Sequence, residues 1–180
     1  MLQHKDVLQC TDMSHCLKHV FGIGHAMNIV VGGTFAYLHD GHRALLAKAF
    51  EIGDHVCIGL TTDGYVRRVK GRGDLPSYPK REAELRRFVG RLGKAFTILP
   101  LDDRFGPSTT GNFDAIVVSE ETFPAALEVN AIRKANGLKA LDVIKIGSVL
   151  AWDSLPISSS KIAAGEIDLH GNRTGGKGNL

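Results

Sequence analysis

Short apolar runs alternate with longer stretches of helical spacing, and this alternation constrains the fold more than any other feature of the chain. The apolar runs lie at residues 29–31, 55–60, 96–101, 115–118 and 141–146. The stretches between several of them carry apolar residues three or four positions apart, as amphipathic helices do. These helical stretches lie at residues 41–52, 79–92 and 122–135. Strands that alternate with helices of about 10–15 residues form βαβ units around a parallel sheet. The sequence therefore predicts an α/β protein with a single, doubly wound, parallel sheet of five strands.

The two ends of the chain depart from this pattern. Residues 1–26 hold four of the eight histidines and two of the three cysteines, with no helical or strand period. We expect them to be an irregular extension outside a domain at residues 27–168. An alternative is that translation starts at Met27 and that the extension is not native. Residues 169–180 are polar and rich in glycine, which predicts a flexible tail.

Composition and charge exclude several classes of protein. No run of about 18 apolar residues exists, so no spanning helix is expected, and the first residues lack the apolar block of a secretory signal. The formal net charge of +3 is too small to indicate nucleic-acid binding. Three cysteines cannot pair completely, which suits a reducing compartment. We expect a cytoplasmic protein that binds neither membrane nor nucleic acid; the sequence leaves its oligomeric state open.

The residues after the first predicted strand carry the strongest functional signal. They are Gly32-Gly33-Thr34-Phe35-Ala36-Tyr37-Leu38-His39-Asp40-Gly41-His42. Ligands of doubly wound sheets bind beyond the carboxyl ends of the strands, and glycines let the backbone approach them. Two histidines three residues apart lie roughly 60° apart on a helix, beside backbone N–H groups that attract phosphate. Such a pair alone is usually structural, but the whole string, between a strand and a helix, predicts a phosphate site.

Two strings resemble the signatures of one superfamily of nucleotidyltransferases. Gly-Gly-Thr-Phe followed by His-Asp-Gly-His resembles the motif (T/H)xGH, and Ile157-Ser158-Ser159-Ser160-Lys161-Ile162 resembles the later ISSTK-type motif. Further stretches resemble the archaeal type of phosphopantetheine adenylyltransferase, so that the resemblance spans about residues 27–168. These stretches are Gly59-Leu60-Thr61-Thr62-Asp63, Val117-Val118-Ser119-Glu120-Glu121-Thr122 and Val129-Asn130-Ala131-Ile132-Arg133. Ala36 and Ser160 depart from the usual acidic residue and threonine. Ser154-Leu155-Pro156 replaces the Arg-Thr-x-Gly string of cytidylyltransferases, which disfavours CTP as the donor.

The resemblance implies a Rossmann-like nucleotidyltransferase fold and one step of coenzyme A biosynthesis. In that step ATP and 4′-phosphopantetheine give dephospho-coenzyme A and pyrophosphate. It implies that His42 and Lys70 are catalytic, and that Thr34 and Lys70 contact the acceptor. The implied ATP-binding residues are Gly33, Thr34, Phe35, His39, His42, Ser158, Ser159, Ser160 and Lys161. Mg²⁺ is expected to enter with ATP, and no residue is assigned as a metal ligand.

Other functions stay open on the sequence. The acceptor could be another phosphorylated compound, such as nicotinamide or flavin mononucleotide, or the chain could be a catalytically silent, nucleotide-binding regulatory module. The intact His39, His42 and Lys161 favour turnover.

A basic stretch around Lys70 is expected to be a loop that moves as a lid. It contains Arg67, Arg68, Gly71, Arg72 and Gly73. The roles of four acidic residues are left open: Asp102, Asp103, Glu120 and Glu121.

Overall fold

The computed structural model describes residues 26–71 and 75–174, and for Lys70 the backbone only. The strands are β1 (Asn28–Gly33), β2 (His55–Thr61), β3 (Ala95–Leu101), β4 (Ala115–Val118) and β5 (Asp142–Lys145). The helices are α1 (Asp40–Ile52), α2 (Asp63–Lys70), α3 (Tyr78–Val89), α4 (Phe123–Ala135) and α5 (Ser159–Ala163). Short 3₁₀ segments lie at Gly90–Leu92 and Gly106–Thr109. The expected extension, apart from Ala26, lies outside the described residues, as do Arg72, Gly73 and residues 175–180.

The five strands form one sheet in the order β3-β2-β1-β4-β5, and every neighbouring pair is parallel. The predicted α/β class and five-stranded parallel sheet are therefore confirmed. β1 pairs with β2 on one side, where Val30 lies opposite Cys57, and with β4 on the other, where Val30 lies opposite Ile116. The strand order reverses between β1 and β4. Such switch points open a ligand crevice at the carboxyl ends of the strands.

Helices cover both faces of the sheet because successive residues of each buried strand point to opposite sides. Ile29 and Val31 of β1 belong to an apolar cluster that includes buried residues of α1 and α3. Val30 of β1 belongs to a second cluster, with buried residues of α4. β2 is buried along six of its seven residues, as expected for an inner strand of a doubly wound sheet.

The basic stretch expected to be a loop is instead a helix, so that expectation was wrong for residues 63–70. Thr62 caps the start of α2, since its side-chain oxygen accepts the N–H of Tyr65 at 3.1 Å. Gly71 ends the helix in the left-handed conformation, with a φ of 60°. Val66 faces the core and is 3% exposed, which gives the helix its tertiary anchor. The buried anchor, together with the two caps, outweighs the helix-weakening effect of Gly64.

The expected flexible tail does not begin at residue 169. Residues 149–174 form a small unit on the sheet domain, with Ala151, Ile157 and Ile167 as its buried apolar residues. Gly171 packs so closely that a Cβ there would lie 2.8 Å from Ala151. The backbone N–H of Trp152 also donates to the Gly171 carbonyl, at 2.9 Å. The glycines counted as a sign of flexibility therefore include one that packing requires.

Candidate active site

The turn that follows β1 is shaped by an inward-pointing aromatic ring. Phe35 has a φ of 46°, a left-handed conformation that side chains other than glycine rarely adopt. The residue is 1% exposed, and a Cβ at Gly33 would lie 3.1 Å from its ring. Phe35, which the resemblance placed among the ATP-binding residues, therefore uses its side chain in the core. Glycine at position 33 suits this close approach, because a Cβ there would force the Phe35 ring to shift by a few tenths of an ångström.

His39 is the N-cap of α1. Its Nδ1 accepts the backbone N–H of His42 at 3.4 Å, a role usually taken by serine, threonine or aspartate. The two imidazole rings stack with their centroids 3.8 Å apart. The predicted pairing of the histidines on one side of the first helical turn is therefore present in the structure.

His42 is held from two directions. Its Nδ1 lies 2.8 Å from the carbonyl oxygen of Tyr37, which can only accept, so that Nδ1 carries the hydrogen. The ring of Phe35 meets it edge-on, with the centroids 5.1 Å apart. Both contacts fix the orientation of the imidazole, and a ligand would be contacted through Nε2.

Burial keeps His39 uncharged. Removal from water, and then the charge of His42, lower the pKa of His39 from 6.5 to about 3. At neutral pH its Nδ1 therefore keeps the lone pair that caps α1. The same burial leaves only 6% of the residue exposed.

The second predicted motif lies at the start of α5. The side-chain oxygen of Ser158 accepts the N–H of Lys161 at 3.3 Å, which caps this short helix. The Lys161 Nζ forms an ion pair with Asp153 at 2.6 Å. The hydrogen bond from Lys161 is the main cause that lowers the pKa of the Asp153 carboxyl. Sequence reasoning did not single out Asp153, since a carboxylate eight residues before a lysine has no set position in a loop.

The small unit of residues 149–174, called the C-terminal unit from here on, contains this motif and also contacts the start of α1. The N–H of Asp40 donates to the carbonyl of Leu169 at 3.0 Å, and the Asp40 carboxylate lies 2.9 Å from Nδ1 of His170. Gly171, the next residue, bonds to Trp152 and packs against Ile157, immediately before Ser158. The structure thus ties the segment before the second motif to a residue that lies between the two histidines of the first.

On the other side of β1, α2 begins in a network centred on Asp102. The carboxylate of Asp102 accepts the hydroxyl of Thr62 at 2.5 Å, and its backbone carbonyl accepts from Arg68 at 2.8 Å. Asp103 accepts the N–H groups of Phe105 and Gly106 and so shapes the next turn. Both aspartates are therefore accounted for by loop structure. Lys70, the predicted acceptor ligand, ends α2.

The two glutamates after β4 lie at the surface. Glu120 forms an ion pair with Lys145 at 3.2 Å, and Glu121 is exposed. Across the described ranges, no group of three or more His, Cys, Asp or Glu side chains is arranged to hold a metal ion.

The sequence reasoning missed one buried charged residue near the carboxyl ends of the strands. Arg81, in the first turn of α3, is 1% exposed and forms an ion pair with Asp63 at 2.7 Å. The N–H of Tyr78 donates to the same carboxylate, and these contacts keep the pKa of Asp63 below its usual value. A signal was present, because Arg81 is four residues before Leu85 and eight before Val89, on the buried side of the helix.

The fold and this site define a class of protein. The model of the family described as cytidylyltransferase-like matches residues 30–165, and the chain belongs to that family. Among the helices that the structure describes, none is long and apolar enough to cross a membrane.

Curated relatives narrow the class to the phosphopantetheine adenylyltransferases, so the resemblance to that family is confirmed. The chain is 42% identical to "Phosphopantetheine adenylyltransferase" of Methanosarcina mazei, over 79% of this chain and 94% of the relative. It is 45% identical to the protein of the same name from Methanopyrus kandleri, over 78% and 90% of the two chains. A bifunctional phosphopantetheine adenylyltransferase/NTP phosphatase of Thermoplasma volcanium is 46% identical, but the match spans only 45% of it.

Solved structures agree on the fold. A protein of unknown function from Archaeoglobus fulgidus superimposes with a TM-score of 0.61 and 30% identity, covering 67% of this chain and 89% of that one. Pantothenate synthetase of Thermus thermophilus superimposes with a TM-score of 0.53 over 77% and 61% of the two chains. At 18% identity the second likeness shows the fold alone.

The low pKa of His39 predicts a pH-dependent stability. The unfolded chain binds a proton at His39 below about pH 6.5, whereas the folded protein does so only near pH 3. The contribution of His39 to stability is therefore complete above pH 6.5 and is lost as the pH falls towards 3. We expect the free energy of unfolding to fall more steeply between about pH 6.5 and 4.5 in the wild type than in His39→Asn, which keeps a capping side chain.

Urea denaturation at a series of fixed pH values measures this difference. A comparison at about pH 8, where His39 is neutral in both states, isolates the packing lost in His39→Asn. Parallel pH dependences of the two proteins would contradict a buried, neutral His39.

Proposed function

We propose that this chain transfers the adenylyl group of ATP to 4′-phosphopantetheine, forming dephospho-coenzyme A and releasing pyrophosphate. The observation that carries the proposal is the stacked His39–His42 pair at the start of α1, beside the Gly33–Thr34 turn and at the switch point of the sheet. The choice of acceptor is supported by relatives of that name at 42–45% identity over most of their length. A cytoplasmic location fits such a step of coenzyme A biosynthesis.

The reaction is an in-line displacement at the α-phosphorus of ATP. An oxygen of the acceptor phosphate forms the new P–O bond while the bond to the leaving pyrophosphate breaks. The acceptor phosphate is already anionic at neutral pH, so no base is needed to activate it. The main obstacle is charge, because two unit charges about 4 Å apart repel by about 4 kcal/mol at an effective dielectric of 20. Catalysis therefore depends on positioning and on cationic or N–H donors.

On the nucleotide side, His42 acts on the α-phosphate. Its Nδ1–H is engaged by the Tyr37 carbonyl, so that donation to phosphate comes from Nε2, which carries a hydrogen when the ring is protonated. His39 is neutral and accepts through Nδ1, so it contributes one N–H donor from Nε2. The backbone at Gly33 and Thr34 completes the contacts to this phosphate.

Ser158, Ser159, Ser160 and Lys161 are assigned to the β- and γ-phosphates. In this assignment Lys161 exchanges its ion pair with Asp153 for the phosphate oxygens. ATP is expected to bind as its Mg²⁺ complex, and the Mg²⁺ would offset part of the charge on the leaving group; no residue of this chain is assigned as its ligand. Lys70 is assigned to the phosphate of the acceptor, and Thr34 contacts both substrates.

Turnover with defined substrate pairs tests the proposal. We expect the purified protein to release pyrophosphate with Mg-ATP and 4′-phosphopantetheine, and not with CTP as the donor. In parallel reactions, nicotinamide mononucleotide or flavin mononucleotide replaces 4′-phosphopantetheine as the acceptor. Release only with one of these would keep the mechanism and replace the acceptor. ATP binding without release under any condition would identify a regulatory module.

His42→Ala should lower kcat far more than it raises KM for ATP, because the contact strengthens as charge develops in the transition state. A loss of about 10²-fold or more in kcat is the expected scale for removing such a donor. His55→Ala is the matched control, since His55 begins β2 at the opposite edge of the sheet and contacts Thr97. An unchanged kcat in His42→Ala would remove this residue from the mechanism.

Lys70→Ala should raise KM for 4′-phosphopantetheine more than KM for ATP, because only the acceptor phosphate loses its cation. Lys134→Ala removes the same charge from the exposed far end of α4 and controls for long-range electrostatics. Steady-state kinetics with each substrate varied in turn measure both values. Equal increases would move Lys70 to the nucleotide side of the site.

A further inference from the structure

A single buried guanidinium holds together three separate parts of the chain at the carboxyl ends of the strands, where the candidate active site lies. Among the side chains that the structure describes as fully buried, that of Arg81 is the largest. Its Nη1 donates to the Thr34 carbonyl at 2.7 Å, its Nε to the Pro76 carbonyl at 2.8 Å, and its Nη2 to the Asp63 carboxylate at 2.7 Å. Each of its three nitrogens is therefore committed to a different segment.

These segments follow β1, begin α2 and lead into α3. Thr34 lies in the turn between β1 and the capping residue of α1, and Asp63 is the first residue of the helix that ends at Lys70. Pro76 lies two residues before the start of α3. Arg81 thus joins the turn assigned to the nucleotide with the helix assigned to the acceptor.

Stability alone does not account for this charge. Removing a guanidinium from water costs several kcal/mol, and a well-packed apolar side chain of similar volume is often as stabilising. The ion pair with Asp63 offsets part of the cost, but a methionine or leucine would need no partner at all. What the guanidinium adds is a fixed fork of donors, which sets distances and directions between its acceptors.

The contact with Thr34 also orients a backbone donor. The Thr34 carbonyl and the Phe35 N–H belong to one planar trans peptide unit and point in opposite directions. Fixing the carbonyl on Arg81 therefore aims the Phe35 N–H away from the guanidinium and holds it there. A non-glycine residue at a φ of 46° needs such support, because this conformation costs about 1–3 kcal/mol.

A second buried arginine shows what the same chemistry does elsewhere in the fold. Arg133, near the end of α4, is 3% exposed and donates to three carbonyls. Those carbonyls belong to Ser108, Gly111 and Lys139, at distances of 2.8 to 2.9 Å. Lys139 precedes β5 and Gly111 precedes β4, so that Arg133 organises the amino-terminal edge of the sheet, away from the candidate site.

We infer that Arg81 is a positioning residue for adenylyl transfer. It sets the orientation of the Thr34–Phe35 peptide and the spacing between that turn and α2, and so the alignment of the two phosphates that react. This inference rests on the proposed function for its kinetic consequence, although the structural role of Arg81 stands apart from it.

The test compares Arg81→Lys with Arg133→Lys. Each keeps the charge and removes the fork, since one ammonium group cannot reach three divergent oxygens with the same geometry. At a temperature where both variants are fully folded, we expect Arg81→Lys to lose about 10- to 100-fold in kcat, with smaller increases in both KM values. Arg133→Lys should stay within about twofold of the wild type in kcat and KM, whatever its loss of stability. Kinetics of Arg81→Lys that match those of Arg133→Lys would overturn the inference.

Hydrogen exchange supplies a readout that does not depend on turnover. Amides in residues 32–38 and 75–80 should exchange faster in Arg81→Lys than in the wild type, and at wild-type rates in Arg133→Lys. Protection that is unchanged in both segments would overturn the positioning role. If the wild type releases no pyrophosphate, the proposed function fails on its own. In that case hydrogen exchange still decides on Arg81, together with the affinity for Mg-ATP measured by calorimetry. We expect this affinity to weaken about threefold in Arg81→Lys and to stay unchanged in Arg133→Lys.

Discussion

The pairing of β1 with a parallel strand on each side is the constraint on which the rest of the structure depends. Because Val30 lies opposite both Cys57 of β2 and Ile116 of β4, the carboxyl ends of the three central strands reach the same edge. The chain leaves β1 where the strand order reverses, and α1 begins seven residues after Gly33. The start of α1, with its capping histidine, is thereby placed at the crevice between the two halves of the sheet.

The polar groups buried at this edge differ in charge because their partners differ. His39 is buried against the ring of His42, and its removal from water keeps it neutral. Its Nδ1 therefore has the lone pair that caps α1. The buried guanidinium of Arg81 instead donates to the Asp63 carboxylate and to two carbonyls, which offset the cost of removing it from water. One group holds the helix start and the other holds the turn before it. The site is therefore supported by interactions that are themselves hidden from solvent.

The C-terminal unit joins the two signature motifs. Residues 167–171 bridge from Asp40 to the segment around Trp152, while Lys161 stays on its ion pair with Asp153. The second motif lies within this unit, so the contacts of the unit with Asp40 also set the position of the motif relative to α1. In the proposed reaction, this pairing means that Lys161 leaves no isolated charge before substrate binds, and that it exchanges partners at modest cost in a partly exposed setting.

Local signals in the sequence determined the strands, the larger helices, both motifs and the family to which the chain belongs. Periodicity and turn chemistry act over a few residues, so the five strands and α1, α3 and α4 were predicted within a few residues of their bounds. The caps of α2, Thr62 and Gly71, were also visible, although the basic composition of the stretch obscured them. Only the tertiary structure decided that Phe35 points into the core, that Arg81 bonds to Asp63 and Thr34, and that His170 meets Asp40 across 130 residues. Each of these depends on which surfaces the folded sheet brings together, and no short stretch of sequence contains both partners.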